Sequence, residues 1–164
     1  MTTSPRIVNR TEQPYVAVET VLTMKEIGAV AGKLLGEVFG WAAGHGLAPA
    51  GAPFLKYNVI DMKRGLEIEF GLPTANLVTG DDRVIAGKLP AGRYASLKHR
   101  GPYDQLSNAN SALLDWIKEQ GLSMDVTGSP QGDRFACRLE VYLTDPAVEK
   151  DPQKWETEVA IKLA

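Results

Sequence analysis

The sequence is poor in the residues that build covalent or metal-bound frameworks. Cys137 is the only cysteine among 164 residues, which excludes an intrachain disulfide and a cysteine-based metal site. The two histidines, His45 and His99, lie far apart without a second ligand nearby, so we expect no metal site. Glycine-rich phosphate loops with their lysine, serine elbows and Cys–His pairs are also missing. These absences argue against nucleotide hydrolysis and triad-based acyl transfer, and we expect no cofactor.

Long hydrophobic runs are absent as well. The longest apolar stretch, residues 27–43, is interrupted by Lys33, Glu37 and several glycines. Residues 1–10 lack the apolar core of a secretory signal peptide. From the sequence we therefore expect no membrane span and a cytoplasmic location.

Positive charge is neither abundant nor clustered. The formal net charge is −2 and no run of lysine or arginine occurs, whereas nucleic-acid binding depends on neutralising many phosphates. The first predicted strand also begins near the start of the sequence, which leaves no length for a helix-turn-helix module. We therefore expect a stand-alone domain that does not bind DNA directly.

The sequence does contain an internal repeat, within a chain whose 44% hydrophobic content is enough for one domain spanning residues 1–164. Residues 15–74 and 94–163 each read as a strand, a long helix, a glycine turn, a strand, a hairpin and a strand. The last strands, residues 66–72 and 155–161, match best because each has glutamates at its second and fourth positions. Two fused β-α-β-β modules create a cleft at their pseudo-twofold axis, which is a natural ligand site.

The pattern predicts an α+β fold in which two helices pack on one face of an antiparallel sheet built by both repeats. Helices are predicted over residues 23–43, where Thr23 and Glu26 form a capping pattern, and over residues 103–120, which end at Gly121. Strands are predicted over residues 15–22, 54–60, 66–72, 83–89, 93–99, 134–143 and 155–163.

The predicted strand at residues 134–143 contains the strongest candidate site residue. Alternation places Glu140 on one face with Arg138 and Tyr142. A partly buried carboxylate beside an aromatic ring attracts organic cations through charge and through cation–π contacts. The alternative is that Glu140 forms an ordinary surface ion pair with Arg138 or Lys98. We expect the apolar face of this strand to lie under the helices; it comprises Cys137, Leu139, Val141 and Leu143.

Other acidic and aromatic residues are weaker candidates. Glu69 and its repeat equivalent Glu158 lie on predicted hairpin strands, where alternating glutamates are more often solvated than functional. Tyr57, Tyr142 and Trp155 are placed to border the cleft, although ordinary core packing is equally compatible with each ring. The candidate ligand-binding residues are therefore Glu140, Tyr142, Tyr57, Glu69 and Trp155.

Several short motifs, taken in order and spacing, resemble one bacterial family. They are residues 53–57 (PFLKY), 67–73 (EIEFGLP), 89–95 (LPAGRYA), 99–103 (HRGPY), 139–146 (LEVYLTDP) and 157–159 (TEV). Together they resemble the GyrI-like small-molecule-binding family, also known as the effector-binding domain of AraC-type bacterial transcription activators. The resemblance extends over nearly the whole chain, from about Ile7 to Leu163.

The resemblance implies tandem β-α-β-β modules with a ligand cleft at their junction. Multidrug-sensing members of that family hold hydrophobic cations against a glutamate that matches Glu140. Other members hydrolyse strained, cyclopropane-bearing natural products, which would make Glu140 or Glu69 the base and Tyr142 the acid or hydrogen-bond donor. One member inhibits DNA gyrase by direct contact. Three functions therefore stay open: binding of small hydrophobic, cationic or aromatic molecules, hydrolysis, and regulation of a DNA enzyme as a protein partner that the sequence does not name.

Overall fold

The computed structural model describes residues 1–61 and 63–164 and confirms the predicted α+β fold class. Its helices are α1 (Met24–Gly44) and α2 (Leu106–Glu119), and single 3-10 turns occupy Tyr103–Gln105 and Pro152–Lys154. The strands are β1 (Arg6–Arg10), β2 (Gln13–Leu22), β3 (Phe54–Asp61), β4 (Gly65–Pro73), β5 (Ile85–Leu89), β6 (Gly92–Arg100), β7 (Val126–Ser129), β8 (Gly132–Phe135), β9 (Arg138–Tyr142) and β10 (Glu156–Lys162).

All ten strands form one curled antiparallel sheet. Eight of them follow the order β1-β6-β10-β9-β3-β4-β2-β5, and the β7–β8 hairpin is attached through β8 to β3. The order reads the same from either end when β1 is matched with β5, β6 with β2, β10 with β4, and β9 with β3. This symmetry confirms the predicted pseudo-twofold repeat and places the β3–β9 pair at its centre.

The strand that precedes each repeat is exchanged between the halves. β1 pairs with β6 of the second half, and β5 pairs with β2 of the first half. The two registers are equivalent, because Val8 lies opposite Tyr94 and Gly87 lies opposite Tyr15. The sequence pattern did not predict β1, whose only partner strand lies far away along the chain. Each half therefore completes its sheet with a strand from the other half.

Both helices lie on the same face of the sheet, as predicted. The capping box of Thr23 and Glu26 begins α1, with the Thr23 amide donating to Glu26 Oε1 at 2.9 Å. Each helix buries a stripe at i, i+3, i+4 spacing against the strands of its own half. The buried residues are Leu34, Val38 and Ala42 of α1 and Leu106, Ala109, Leu113 and Ile117 of α2.

The predicted placement of the Cys137–Leu139 face under the helices is wrong. Cys137 and Leu139 pack with Tyr15, Phe54 and Tyr94 in a separate core on the opposite face. The curl of the sheet buries that face without help from a helix, so the apolar face of this strand is not the face that the helices cover. The predicted strand at residues 134–143 is also divided, since β8 ends at Phe135 and β9 begins at Arg138. No helix in the described part of the chain is long and apolar enough to span a bilayer.

Candidate ligand-binding site

A cavity of about 1230 Å³ lies on the helix-bearing face, between α1 and α2 and above the central strands β3 and β9. Its volume exceeds the usual range of about 300–1,000 Å³ for small-molecule sites. The walls are largely apolar and come from both halves, including Ile27 and Leu35 of α1 and Leu114 of α2. Exposed Met24 and Phe39 also line it, so that the cavity is accessible from solvent along α1. The geometry therefore resembles the cleft predicted at the junction of the repeats.

Glu140 lies on the sheet side of this cavity and is only 8% exposed. The hydroxyl groups of Tyr57 and Tyr142 donate to its Oε1 at 2.9 and 3.0 Å, and Asn110 Nδ2 donates to its Oε2 at 3.1 Å. These partners replace the ion pair with Arg138 or Lys98 that was the alternative from sequence, and that alternative is wrong. Three donors fix the carboxylate in one orientation and satisfy part of its hydrogen-bonding capacity in a mostly apolar setting.

The symmetry of the repeat explains why two tyrosines converge on one carboxylate. Tyr57 lies opposite Ile68 and Tyr142 lies opposite Thr157, and these partners are matched positions in the two repeats. By the same register, Glu140 is equivalent to Leu55, the residue with which it pairs across the β3–β9 seam. The pseudo-twofold axis passes through this pair. The tyrosines therefore obey the symmetry, whereas the single carboxylate breaks it.

The two tyrosines are held in their neutral form. Burial raises the pKa of the Tyr57 hydroxyl well above its usual value of 10.0, and the negative charge of Glu140 raises it further. The same two causes, in the same order, raise the pKa of Tyr142. Both phenols therefore stay protonated across the physiological range and act as hydrogen-bond donors to Glu140.

Asn110 and Arg138 extend the hydrogen-bond network of Glu140 along the cavity wall. Asn110 uses both amide hydrogens, one for the Leu106 carbonyl at 2.9 Å and one for Glu140. Its Oδ1 accepts a hydrogen bond from Arg138 Nη2 at 3.5 Å. The Arg138 guanidinium lies over the Phe135 ring, 4.9 Å from the ring centre, in a cation–π contact. Asn110 thus connects the positive and negative charges of the cavity.

Further aromatic rings lie at one end of the cavity. Tyr103 lines the cavity and packs edge-on against Tyr142, with ring centres 5.4 Å apart. Trp155 packs behind Tyr103 at 4.7 Å and donates its indole N–H to the Glu149 carbonyl at 2.8 Å. Trp155 itself is not among the cavity-lining residues, because it precedes β10 and lies behind Tyr103. It supports the aromatic wall instead of forming it.

The cavity wall contributed by α1 contains three glycines, which have no side chains. Glycine recurs at every fourth residue, and Gly28, Gly32 and Gly36 all line the cavity. A Cβ atom built at any of these positions would meet no other atom within 4 Å. Glycine in a helix interior is destabilising by about 0.5–1 kcal/mol relative to alanine. The missing side chains therefore enlarge the cavity at the expense of helix stability.

The structure does not bring Glu69 into the cavity. Glu69 lies on the opposite face of the sheet, where it is 3% exposed and accepts hydrogen bonds from Tyr15 Oη at 2.6 Å and Asn58 Nδ2 at 2.6 Å. Lys56 Nζ lies 3.3 Å from its Oε2 and compensates its charge.

Within residues 1–61 and 63–164, no cluster of three or more His, Cys, Asp or Glu side chains could hold a metal ion.

Sequence reasoning had not selected Asn110, Tyr103 or the α1 glycines as site residues. The glycine spacing was the available signal, because a repeat of four residues keeps one helix face nearly free of side chains. Asn110 carried a weaker signal, as an amide on the otherwise apolar stripe of α2. Tyr103 lies in the 3-10 turn before α2, where no periodic pattern exists.

A family model for the GyrI-like small molecule binding domain matches residues 3–164. The chain belongs to this family. No curated protein sequence is significantly similar to it.

Solved structures with the same fold are distant in sequence. The chain is 18% identical to the EcmrR C-terminal domain, with a TM-score of 0.76 over 98% of this chain and 97% of that one. In the EcmrR–DNA complex it spans 57% of the EcmrR chain, with 18% identity over 98% of its own length and a TM-score of 0.77. SAV2435 bound to tetraphenylphosphonium is 9% identical, with a TM-score of 0.63 and coverage of 99% and 94%. A hydrolase from Listeria innocua is 14% identical, with a TM-score of 0.59 and coverage of 98% and 91%.

Proposed function

We propose that the protein binds small hydrophobic aromatic cations in the cavity between α1 and α2, with Glu140 as the counter-charge and Tyr57 and Tyr142 as part of the wall. The observation that carries this proposal is a buried carboxylate, oriented by three hydrogen-bond donors, on the wall of a large apolar cavity. Membership of a small-molecule-binding family supports it. SAV2435, which shares the fold, is a protein whose structure contains tetraphenylphosphonium.

The physical argument concerns the environment of the carboxylate. Attraction between opposite charges is stronger in a mostly apolar cavity than in water because screening is weaker there. Aromatic rings add cation–π attraction of roughly 0.5–2 kcal/mol for a cation that reaches their faces. The tyrosine hydroxyls are directed to Glu140, so the rings present their edges and faces to the remaining space. Such a site favours bulky, weakly hydrated cations over small, strongly hydrated ones.

Calorimetric titration with tetraphenylphosphonium tests the proposal. We expect a micromolar dissociation constant, about −8 kcal/mol, and at least about tenfold weaker binding for Glu140→Gln because the counter-charge is lost. The neutral analogue triphenylphosphine oxide is expected to bind less tightly and to be insensitive to Glu140→Gln. Glu69→Gln is the matched control, since Glu69 is a buried, tyrosine-bonded glutamate on the opposite face. Equal binding of cation and neutral analogue by wild type and Glu140→Gln would contradict the proposal.

Hydrolysis is a second candidate, favoured by the direct contact of Tyr142 with Glu140 in a solvent-accessible cavity. Glu140 would take a proton from water as the water attacks an electrophilic carbon, and Tyr142 would orient or protonate the product. Multiple-turnover assays with cyclopropane-bearing electrophiles and esters, read by mass spectrometry, test this role. We expect about a hundredfold loss of turnover for Glu140→Gln and a smaller loss for Tyr142→Phe. Absence of product above the uncatalysed rate would leave binding as the function.

A further inference from the structure

Arg138 is the one positively charged residue among the described residues that line the cavity, whose other charged residues are Glu140, Asp104 and Asp145, and the proposed binding role does not use it. It lines the cavity from β9, two residues before Glu140 and on the same face. Two residues along an extended strand separate the Cα atoms by about 6.6 Å. The cavity wall therefore presents a positive and a negative group side by side, separated by the amide of Asn110.

Most N–H groups of the Arg138 guanidinium have no hydrogen-bond acceptor among the described residues. Among the described residues, its one side-chain hydrogen bond runs from Nη2 to Asn110 Oδ1 at 3.5 Å, the long limit for such a bond, although a guanidinium has five N–H groups. None of the ion pairs among residues 1–61 and 63–164 involves Arg138. The Phe135 ring packs against the guanidinium, with Arg138 Cζ 4.9 Å from the ring centre. Arg138 is thus partly buried, and no carboxylate of the described residues lies within 4 Å of its guanidinium, although the charge of Glu140 acts on it from a longer distance.

A partly buried arginine without a direct ion-pair partner is energetically costly, and an anion compensates that cost best. Burial lowers the pKa of Arg138 from its usual value, but an arginine remains protonated in proteins at neutral pH. A carboxylate matches the guanidinium fork with two parallel hydrogen bonds, which a neutral acceptor cannot equal. Glu140 does not fill this role, because its oxygens are engaged by Tyr57, Tyr142 and Asn110.

We propose that the cavity selects amphoteric aromatic ligands, in which a cationic group faces Glu140 and a carboxylate or similar planar oxyanion binds the guanidinium edge of Arg138. This inference rests on the proposed binding function and narrows its ligand class. Arg138 is then a specificity-determining residue, and the acid-bearing part of the ligand lies towards the β8 end of β9.

Rhodamine B and its ethyl ester provide a matched pair for the test. Both contain the same cationic aromatic ring system, but only rhodamine B has a free carboxylate. Fluorescence anisotropy with the whole protein gives both dissociation constants for wild type, Arg138→Gln, Arg138→Lys and Arg134→Gln. Arg134 is the control because it lies on the neighbouring β8 with an exposed side chain that pairs with Glu67 at 3.6 Å, outside the cavity. Thermal unfolding checks that each variant is folded.

We expect wild type to bind rhodamine B at least about fivefold more tightly than the ester. Arg138→Gln is expected to weaken rhodamine B binding by about tenfold or more and to leave ester binding unchanged or tighter. Arg138→Lys should restore part of the preference for the acid, and Arg134→Gln should retain all of it. If acid and ester bind equally in wild type, or if Arg138→Gln weakens both alike, Arg138 only positions Asn110 and the inference is overturned. If neither dye binds to any folded variant, the proposed binding function fails and the inference fails with it.

Discussion

The glycine face of α1 leads to a prediction that separates stability from ligand selection. Gly28, Gly32 and Gly36 line the cavity, whereas Gly40 continues the same spacing beyond it. A Cβ atom at each of the four positions meets nothing within 4 Å, so alanine can be introduced without strain. The perturbation is a triple variant, Gly28→Ala, Gly32→Ala and Gly36→Ala, compared with wild type and with Gly40→Ala.

The stability gain can be worked out position by position. Each interior glycine-to-alanine change is worth about 0.5–1 kcal/mol of unfolding free energy, because alanine restricts the unfolded chain and favours the helix. The three open positions therefore add about 1.5–3 kcal/mol, provided that they act independently. For a protein of this size, 1 kcal/mol corresponds to about 2–4 °C, so the melting temperature is expected to rise by about 3–12 °C. Gly40→Ala should raise it by about a third as much.

The ligand assay completes the test. Three methyl groups on the α1 wall narrow the cavity, so the triple variant is expected to bind tetraphenylphosphonium several-fold more weakly. A smaller cation such as phenyltrimethylammonium should lose little affinity, and Gly40→Ala should bind both cations like wild type. Differential scanning fluorimetry and calorimetric titration measure the two effects. A triple variant that is less stable than wild type, or that is more stable with unchanged affinity for the bulky cation, would refute the reasoning.

Three further predictions follow from other features. Burial raises the pKa of all five tyrosines, so above pH 10 the unfolded chain loses phenolic protons that the folded chain keeps, and stability falls as pH rises. The free energy of unfolding from urea titrations should fall more gently for Tyr57→Phe, by about 1.4 kcal/mol per pH unit, and equal slopes would contradict this. Trp155→Leu should weaken cation binding by a few-fold through loss of support for Tyr103, with Glu140-dependent discrimination retained; an unchanged affinity would show that the support is dispensable. The purified chain is expected not to retard duplex DNA at physiological salt, because its net charge is −2 without basic clusters; sequence-specific retardation would overturn that expectation.

Much of the architecture was predictable because the repeat is visible in local patterns. The helix stripes and the strands of the hairpins were located to within a few residues, since their periodicity is set by the same side chains that form the cores. β1 was not predictable, because its partner β6 lies about ninety residues away along the chain. β7 and the first residues of β8 were not predicted as strands, because the glycine, serine and aspartate residues there are typical of turns.

The candidate site was only partly predictable. Alternation correctly grouped Arg138, Glu140 and Tyr142 on one face, but it could not decide which face carries the helices. The curl of the sheet buries Leu139 as thoroughly as a helix would, so an apolar strand face does not by itself indicate which side the helices cover. The convergence of Tyr57 on Glu140 depends on the register of β3 against β9, and register between distant strands is not encoded in either strand alone.

The exchange of β1 and β5 has a consequence for how the molecule is held together. Neither repeat contains the strand that closes its own edge, so a fragment ending in the connector at residues 74–84 would leave a row of unpaired backbone groups. Two fragments produced by cleavage there would still share the β1–β6, β2–β5 and β3–β9 ladders. Cleavage of the connector should therefore leave a noncovalent heterodimer that behaves as the intact protein does. A single repeat expressed alone is instead expected to pair with a second copy of itself. The seam of that dimer would have the same residue at both of the positions that Leu55 and Glu140 occupy in the intact protein.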